Sequence, residues 1–256
     1  MRFPDFKQAI DVLGDRLRTA PLVHTGTWQS TDTSKKPEAA TYELTNIFFT
    51  VPLYEFDKMR VDIQPNVPWA DEHFDERLCG IPHNPPPSWV RWPWANSAEK
   101  FREGAKFSHT YPERIWPKKA NNNPKNDRRG IRYLYGDFDD VIRLLDRHPY
   151  TRQAYIPIWF PEDTGVAHGE RVPCTLGYHV MMRDNRFNMF YPIRSCDFRR
   201  HLRDDIYMAV RLLLTMLSTL RSGNGPNVWR SVSPGEFSMW IGSCHIFVND
   251  HKELFG

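Results

Sequence analysis

Apolar and polar residues alternate most regularly between positions 174 and 193. Cys174, Leu176, Tyr178, Val180 and Met182 take one side, and Thr175, Gly177, His179, Met181 and Arg183 the other. A repeat of two is the period of a strand, so this stretch predicts one. Asp184-Asn185 reads as the turn of a hairpin, and Phe187, Met189, Tyr191 and Ile193 carry the period along the return strand. Pro173 withholds a ladder bond at the first position, which suits an edge, a bulge or an entrance. Elsewhere the spacing is helical. Phe6, Ile10, Leu13 and Leu17 share one face of a helix over 4–18, and Asp137 caps a helix over 138–147 with Phe138, Val141, Ile142 and Leu145 inward. Leu202, Ile206, Leu213, Leu217 and Leu220 repeat through "HLRDDIYMAVRLLLTMLSTLR", the most apolar helix and hence the predicted centre of the fold.

"TYELTNIFFTV" (41–51) and "GEFSMWIGSCHIFVND" (235–250) read as strands, and 69–79 as a short helix. "HPYTRQAYIPIWF" (148–160) turns and enters another strand. The Pro-rich run "IPHNPPPSWVRWPW" predicts a loop or extended segment, and "NNNPKNDRR" (121–129) a basic loop. Strands and helices mix without a βαβ rhythm. The fold class is therefore α+β, a mixed sheet packed against a long buried central helix, in one domain over 1–256.

Composition narrows the function classes. The chain of 256 residues is 40% hydrophobic and 25% charged, enough for a sizeable core. A net charge of +3, with Lys and Arg scattered, argues against nucleic acid as the partner. Nine tryptophans favour a flat-ligand pocket or a heavy core equally. The four cysteines, at 79, 174, 196 and 244, show no zinc-ligand spacing and predict no metal site; in a chain of this length they also do not read as a disulfide framework. With no signal-like leader and no apolar run long enough to span a bilayer, a cytoplasmic protein that leaves membranes alone is expected.

A cysteine on an apolar strand is ordinarily core filling. Here its company changes the reading. "PC" (173–174) opens the hairpin, "RSCD" (194–197) ends it, Asp205 lies eight residues past Asp197, and "PGEFSMWIGSCHIF" supplies His245. Together with "HPYTRQAYIPIW", this order resembles the thymidylate synthase family, convincingly over residues 107–250 and loosely before them. The resemblance implies a chemistry. A thiolate adding to C6 of a pyrimidine makes C5 nucleophilic towards a one-carbon electrophile. Cys174 is then the nucleophile, and Tyr111 in "SHTYPERIW" matches the family tyrosine near the C5 proton. Glu76, with Glu72 as the alternative, matches the glutamate that organises water for proton transfer. Arg194 and Ser195 match phosphate ligands, completed by Arg152 of the partner subunit; where the family usually has a second arginine this chain has Gln153. The family arginine ahead of a Thr-Gly-Thr turn is replaced by His24 in "HTGT". Asp197 and Asp205 match base-binding positions and His245 a sugar ligand, with Phe247 where its tyrosine companion stands. Trp92 or Trp94 would wall the site of the co-substrate, 5,10-methylenetetrahydrofolate.

Asp205 is the most informative of these positions, because thymidylate synthases have asparagine there. A carboxylate accepts from the cytosine amino group, and a proton shared with ring N3 completes the pair. Thr175 after the nucleophile, where thymidylate synthases have histidine, agrees with the cytosine-specific hydroxymethylase branch. The resemblance thus implies a homodimer, paired through its sheet face, that makes a 5-hydroxymethyl nucleotide from dCMP or CMP. C5 methylation of dCMP or dUMP, or a relative that only binds nucleotide, are the alternatives. Family members also continue past the "HIF" strand into a tail that closes over the ligands, which this sequence does not show.

Overall fold

The computed structural model describes residues 1–23, 27–28, 31–99, 102–121, 136–163, 172–223 and 225–256. The basic stretch 122–135 and the "HTG" of "HTGT" lie outside the described residues. A six-stranded sheet carries the fold. In chain order its strands are β1 (Leu22–Val23), β2 (Thr41–Pro52), β3 (Tyr155–Pro157), β4 (Gly177–Arg183), β5 (Arg186–Asp197) and β6 (Ser233–Phe247). In space they run β1-β2-β6-β5-β4-β3, and every pairing is antiparallel except the parallel β6–β5. The helices used below are α1 (Phe6–Arg18), α2 (Phe56–Ile63), α3 (Trp69–Leu78), α4 (Tyr111–Ile115), α5 (Phe138–Arg147), α6 (Leu202–Ser222) and α7 (Val248–Phe255).

The local chemistry explains most of these boundaries. The Asp5 carboxylate accepts from Gln8 N at 2.8 Å and starts α1, whose Phe6, Ile10, Leu13 and Leu17 are all buried. Asp137 and Asp140 form a capping box at the start of α5. At the β4–β5 turn, Asp184 and Asn185 take φ of 50° and 55°, the left-handed pair that a two-residue hairpin needs. Along β5, Phe187, Met189, Tyr191 and Ile193 are buried, and they meet Phe237, Met239 and Ile241 of β6. The core helix α6 buries twelve of its 21 residues, packed on this face and on α2, α3 and α5. That much burial, rather than helix propensity, is what holds so long a helix in place.

Three differences from the sequence reading bear on the site. Cys174 lies ahead of its strand rather than inside it, since β4 begins at Gly177 and only Thr175 makes an isolated bridge, to Ile193. Pro173 accounts for this, because a residue without N–H cannot extend the ladder backwards. The strand predicted to reach Asp250 ends at Phe247, and "VND" opens α7 instead. Part of the Pro-rich run forms a 3-10 turn at Pro87–Arg91. Among the described residues, no helix is long and apolar enough to cross a membrane.

Two irregular positions place the end of the sheet. Gly242 stands opposite Asn46 on one side and Arg194 on the other, between paired neighbours on both strands. A Cβ at Gly242 would come within 2.7 Å of the Arg194 carbonyl oxygen, so only glycine permits this approach. Asn46, in the left-handed region at φ 55°, is among the few residue types that tolerate it. Beyond this line Ser195–Asp197 and Ser243–Phe247 run on side by side, and they floor the cavity.

Candidate active site

A cavity of about 550 Å3 opens where the ends of β5 and β6 meet α3, α4 and the start of α6. It is lined by Cys174, Tyr111, Ser195, Asp197, Asp205, His245, Phe247 and Trp92, eight of the positions singled out in the sequence. They come from segments far apart in the chain.

Cys174 is half-buried, and its carbonyl accepts from Arg194 N at 2.9 Å. Arg194 does not line the cavity itself. Its Nε and Nη2 donate to the carbonyls of Pro173 and Val172, at 2.9 and 3.1 Å, and its guanidinium lies 5.4 Å from the Trp159 ring centre. The arginine thus grips the backbone immediately before the thiol. Thr175 is fully buried and shares hydrogen bonds with the hydroxyls of Tyr111 (3.0 Å) and Tyr191 (2.8 Å). This chain of hydroxyls fixes α4 to the sheet beside the cysteine. α4 itself was not foreseen, although Thr110-x-x-Glu113 is a capping-box signature that could have revealed it. Burial holds the Tyr111 phenol well above its ordinary pKa, so it stays protonated.

The two aspartates opening α6 both line the cavity but differ in their partners. The Asp204 carboxylate is held by Asn66, accepting from its N and Nδ2, both at 2.8 Å. Among the described residues, the Asp205 carboxyl receives only a weak Cys196 Sγ–H contact at 3.9 Å. Burial drives the Asp205 pKa up to about 7, against a smaller downward pull from Arg77. A carboxyl poised at that value is present in both protonation states at neutral pH. Asp197 is pushed up to about 6, again mainly by burial, although Arg199 N and Arg200 N donate to its Oδ1 at 2.9 and 3.0 Å. It thereby caps the β5–α6 corner while facing the cavity. His245 is paired in register with Asp197, and burial lowers its pKa, so the imidazole is neutral.

α3 corrects the sequence reading most. Its residues Trp69, His73 and Arg77, spaced i, i+4 and i+8, line the cavity, and neither glutamate does. The Glu76 carboxylate points to the next segment, accepting from Ser88 N at 2.7 Å and Ser88 Oγ at 2.6 Å. Glu72 is partly exposed and pairs with Arg91 at 2.6 Å. The reason is helical geometry: a cavity above one face of a helix meets only every third or fourth residue. His73 Nδ1 lies 3.2 Å from Ser88 Oγ, whose own proton goes to Glu76. This fixes the proton on Nδ1 and leaves Nε2 as the basic nitrogen. Burial, with help from Arg77, lowers the His73 pKa to about 4. The 69-73-77 spacing was visible in the sequence, but nothing there said which face the cavity would meet.

The tryptophans separate in the same way. Trp92 lines the cavity, stacked on His201 at 4.9 Å, whereas Trp94 stands edge-on behind it at 5.8 Å. Trp69 and Trp92 lie 6.0 Å apart, and both indole N–H groups are buried without a partner among the described residues. Two such donors on one aromatic wall suit a flat, acceptor-rich heterocycle such as a pterin. Arg152 is exposed and reaches no part of this cavity; its carbonyl accepts from His179 Nε2 at 2.9 Å.

The fold is thymidylate synthase-like. The thermostable thymidylate synthase A of Bacillus subtilis superimposes with a TM-score of 0.63 over 97% of this chain and 81% of its own, at 14% sequence identity. No family model matches the sequence.

Proposed function

We propose that the protein transfers a one-carbon unit from 5,10-methylenetetrahydrofolate to C5 of a cytosine nucleotide, dCMP or CMP, giving the 5-hydroxymethyl nucleotide. The observation that carries this reading is the convergence of Cys174, Ser195, Asp197, Asp205 and His245 in one cavity of a thymidylate synthase-like fold. In this reading the Cys174 sulfur bonds to C6, and the C5=C6 electron pair moves toward the C4 edge of the ring. Asp205 meets that edge, accepting from the cytosine amino group and sharing a proton with N3; a carboxyl that titrates near 7 suits such sharing. The folate supplies carbon at the oxidation level of formaldehyde when bound. Trp69 and Trp92 fit its flat ring, and the protonated Tyr111 stands beside Thr175, next to the nucleophile. Ser195, which lines the cavity, would bind phosphate; Arg194, whose Nε and Nη2 hold the Pro173 and Val172 carbonyls, would add its charge as a further phosphate ligand.

Arg152 of the partner subunit would complete the phosphate site, since the same residue cannot reach its own cavity. The outward face of the sheet supports a homodimer. It exposes Phe48 (45%), Phe190 (36%) and Tyr155 (39%), with Phe48 and Phe190 6.2 Å apart. Neighbouring exposed aromatics mark an interaction surface, and a second copy offers the same apolar face in return.

One observation favours a second reading. A protonated Asp205 offers a donor and an acceptor, as an asparagine amide does, and so would also accept dUMP as a substrate for C5 methylation. Tritium release from C5-labelled CMP, dCMP, UMP and dUMP, with and without methylenetetrahydrofolate, decides between them. Hydroxymethyl product from a cytosine nucleotide, lost in Cys174→Ala, is the expected result. A methyl product, or release from dUMP alone, selects the second reading. Absence of release from all four, with nucleotide still bound by Cys174→Ala, would leave a binding protein.

A further inference from the structure

Arg77 and Arg114 are equally buried, each 5% exposed, but they are not equally satisfied. Arg114 is clasped by Asp163 through two bonds of 2.7 and 2.9 Å. Arg77 forms no ion pair and donates no side-chain hydrogen bond among the described residues; its Nε is buried without a partner there, as is that of Arg114, so the missing carboxylate is what separates the two. Its one contact of note is its guanidinium stacked 4.2 Å from the Tyr111 ring centre. It lines the cavity with Tyr111, Asp205 and Cys174. Asp204 and Asp205 feel its charge across the cavity, but neither bonds to it. A buried guanidinium with no hydrogen-bonded carboxylate is costly to keep, because its desolvation is only partly offset. Such a group persists where something absent from the free protein supplies the missing acceptor.

We propose that Arg77 is a substrate-contacting catalytic residue, the counter-charge for the electrons that reach the C4 edge of the ring when Cys174 adds at C6. This rests on the reading above. The balance of the step shows why a cation belongs there. Forming the S–C6 bond removes the negative charge from sulfur and sends the C5=C6 pair toward C4 and N3. If Asp205 then gives its proton to N3, the ring is neutral and the same single charge rests on the Asp205 carboxylate. By either route one negative charge travels from Cys174 to the side of the cavity that Arg77 occupies. No atom or electron enters from outside. A fixed cation near the charge that develops stabilises the adduct more than the bound nucleotide. Its effect therefore falls on turnover and not on grip, which the phosphate end supplies. The cavity face of α3 presents no carboxylate, only this cation and a neutral His73.

The test compares wild type with Arg77→Met, which keeps an unbranched chain against Tyr111, and Arg77→Lys, which keeps the charge. Three quantities are read: melting temperature without ligand, the Kd for dCMP and CMP, and the rate of C5 tritium release. Arg77→Met is expected to raise the melting temperature by about 2–4 °C, since an unpaired buried charge is removed. It should leave the nucleotide Kd within about threefold and lower tritium release by about 100-fold or more, with part of the rate recovered in Arg77→Lys. A melting temperature that falls by several degrees in Arg77→Met, or tritium release that matches wild type, overturns the proposal. The melting readout does not depend on any reaction. If wild type releases no tritium from any pyrimidine nucleotide, the one-carbon reading fails, and so does the catalytic role built on it. In that case a raised melting temperature still separates a ligand-facing cation from a structural one.

Discussion

Replacing Asp205 by asparagine removes one titration and almost no volume. In the folded protein burial takes this carboxyl from an ordinary 3.8 up to about 7. Between those values the unfolded chain has lost the proton and the native state still holds it. Stability linked to this group is therefore fully present below pH 4 and falls as pH rises, until the native carboxyl also ionises near 7. A difference of this size corresponds to about 4 kcal/mol in total, of which about 2.5 kcal/mol is lost between pH 5 and pH 8. Water entering the cavity and adjustment of Arg77 would reduce the latter to about 2 kcal/mol. Asp197 and Asp204 are raised as well, so the pH slope of the wild type alone does not isolate Asp205. The difference between Asp205→Asn and wild type does. Urea unfolding at pH 5 and pH 8 should show the variant gaining about 2 kcal/mol on wild type as the pH is raised. If that difference is the same at both pH values, Asp205 is not desolvated, and the argument for its shared proton with the ligand collapses.

Two further outcomes follow from the packing. Arg114→Met leaves the buried Asp163 without its counter-charge, with only the Phe160 N–H bond at 2.7 Å among the described residues, and should cost about 3–5 kcal/mol in chemical denaturation, whereas the double change of Arg114→Met with Asp163→Leu should restore much of it; equal loss in both would show that the pair is not electrostatically coupled. Phe48→Glu or Phe190→Glu places a charge on the apolar outer face of the sheet, where the side chains are partly exposed and the monomer fold tolerates them. If two copies pair through this face, sedimentation velocity should show the variants as monomers and the wild type as a dimer, and an unchanged sedimentation coefficient would remove this face from consideration as the interface.

The parts of the fold that local chemistry controls were legible in the chain. A helix such as α5 needs only its Asp137 cap and apolar face, and both are written in ten residues. The hairpin likewise follows from a two-residue period and the left-handed tolerance of Asp184-Asn185. The residues of one strand end, such as Ser195 and Asp197, share a face by pleat alone, so their meeting in the cavity was also foreseeable.

Side-chain direction on α3 was not legible. Glu76 and Arg77 are neighbours in sequence, yet one hydrogen-bonds Ser88 and the other enters the cavity. A rotation of about 100° per residue separates them, and only the docking of α3 on α6, through Asp71 to Tyr207 (2.6 Å) and Arg211 (2.7 Å), sets which faces inward. Asp204 and Asp205 both line the cavity, yet Asn66 occupies the carboxylate of the first and leaves that of the second open to a ligand. Sequence by itself determined the α+β class, the longer helices and the hairpin with their local caps and turn, and the residue types that carry the chemistry. Tertiary structure alone decided which of two adjacent polar residues meets the ligand, because burial and desolvation belong to the assembled cavity and to no segment of the chain.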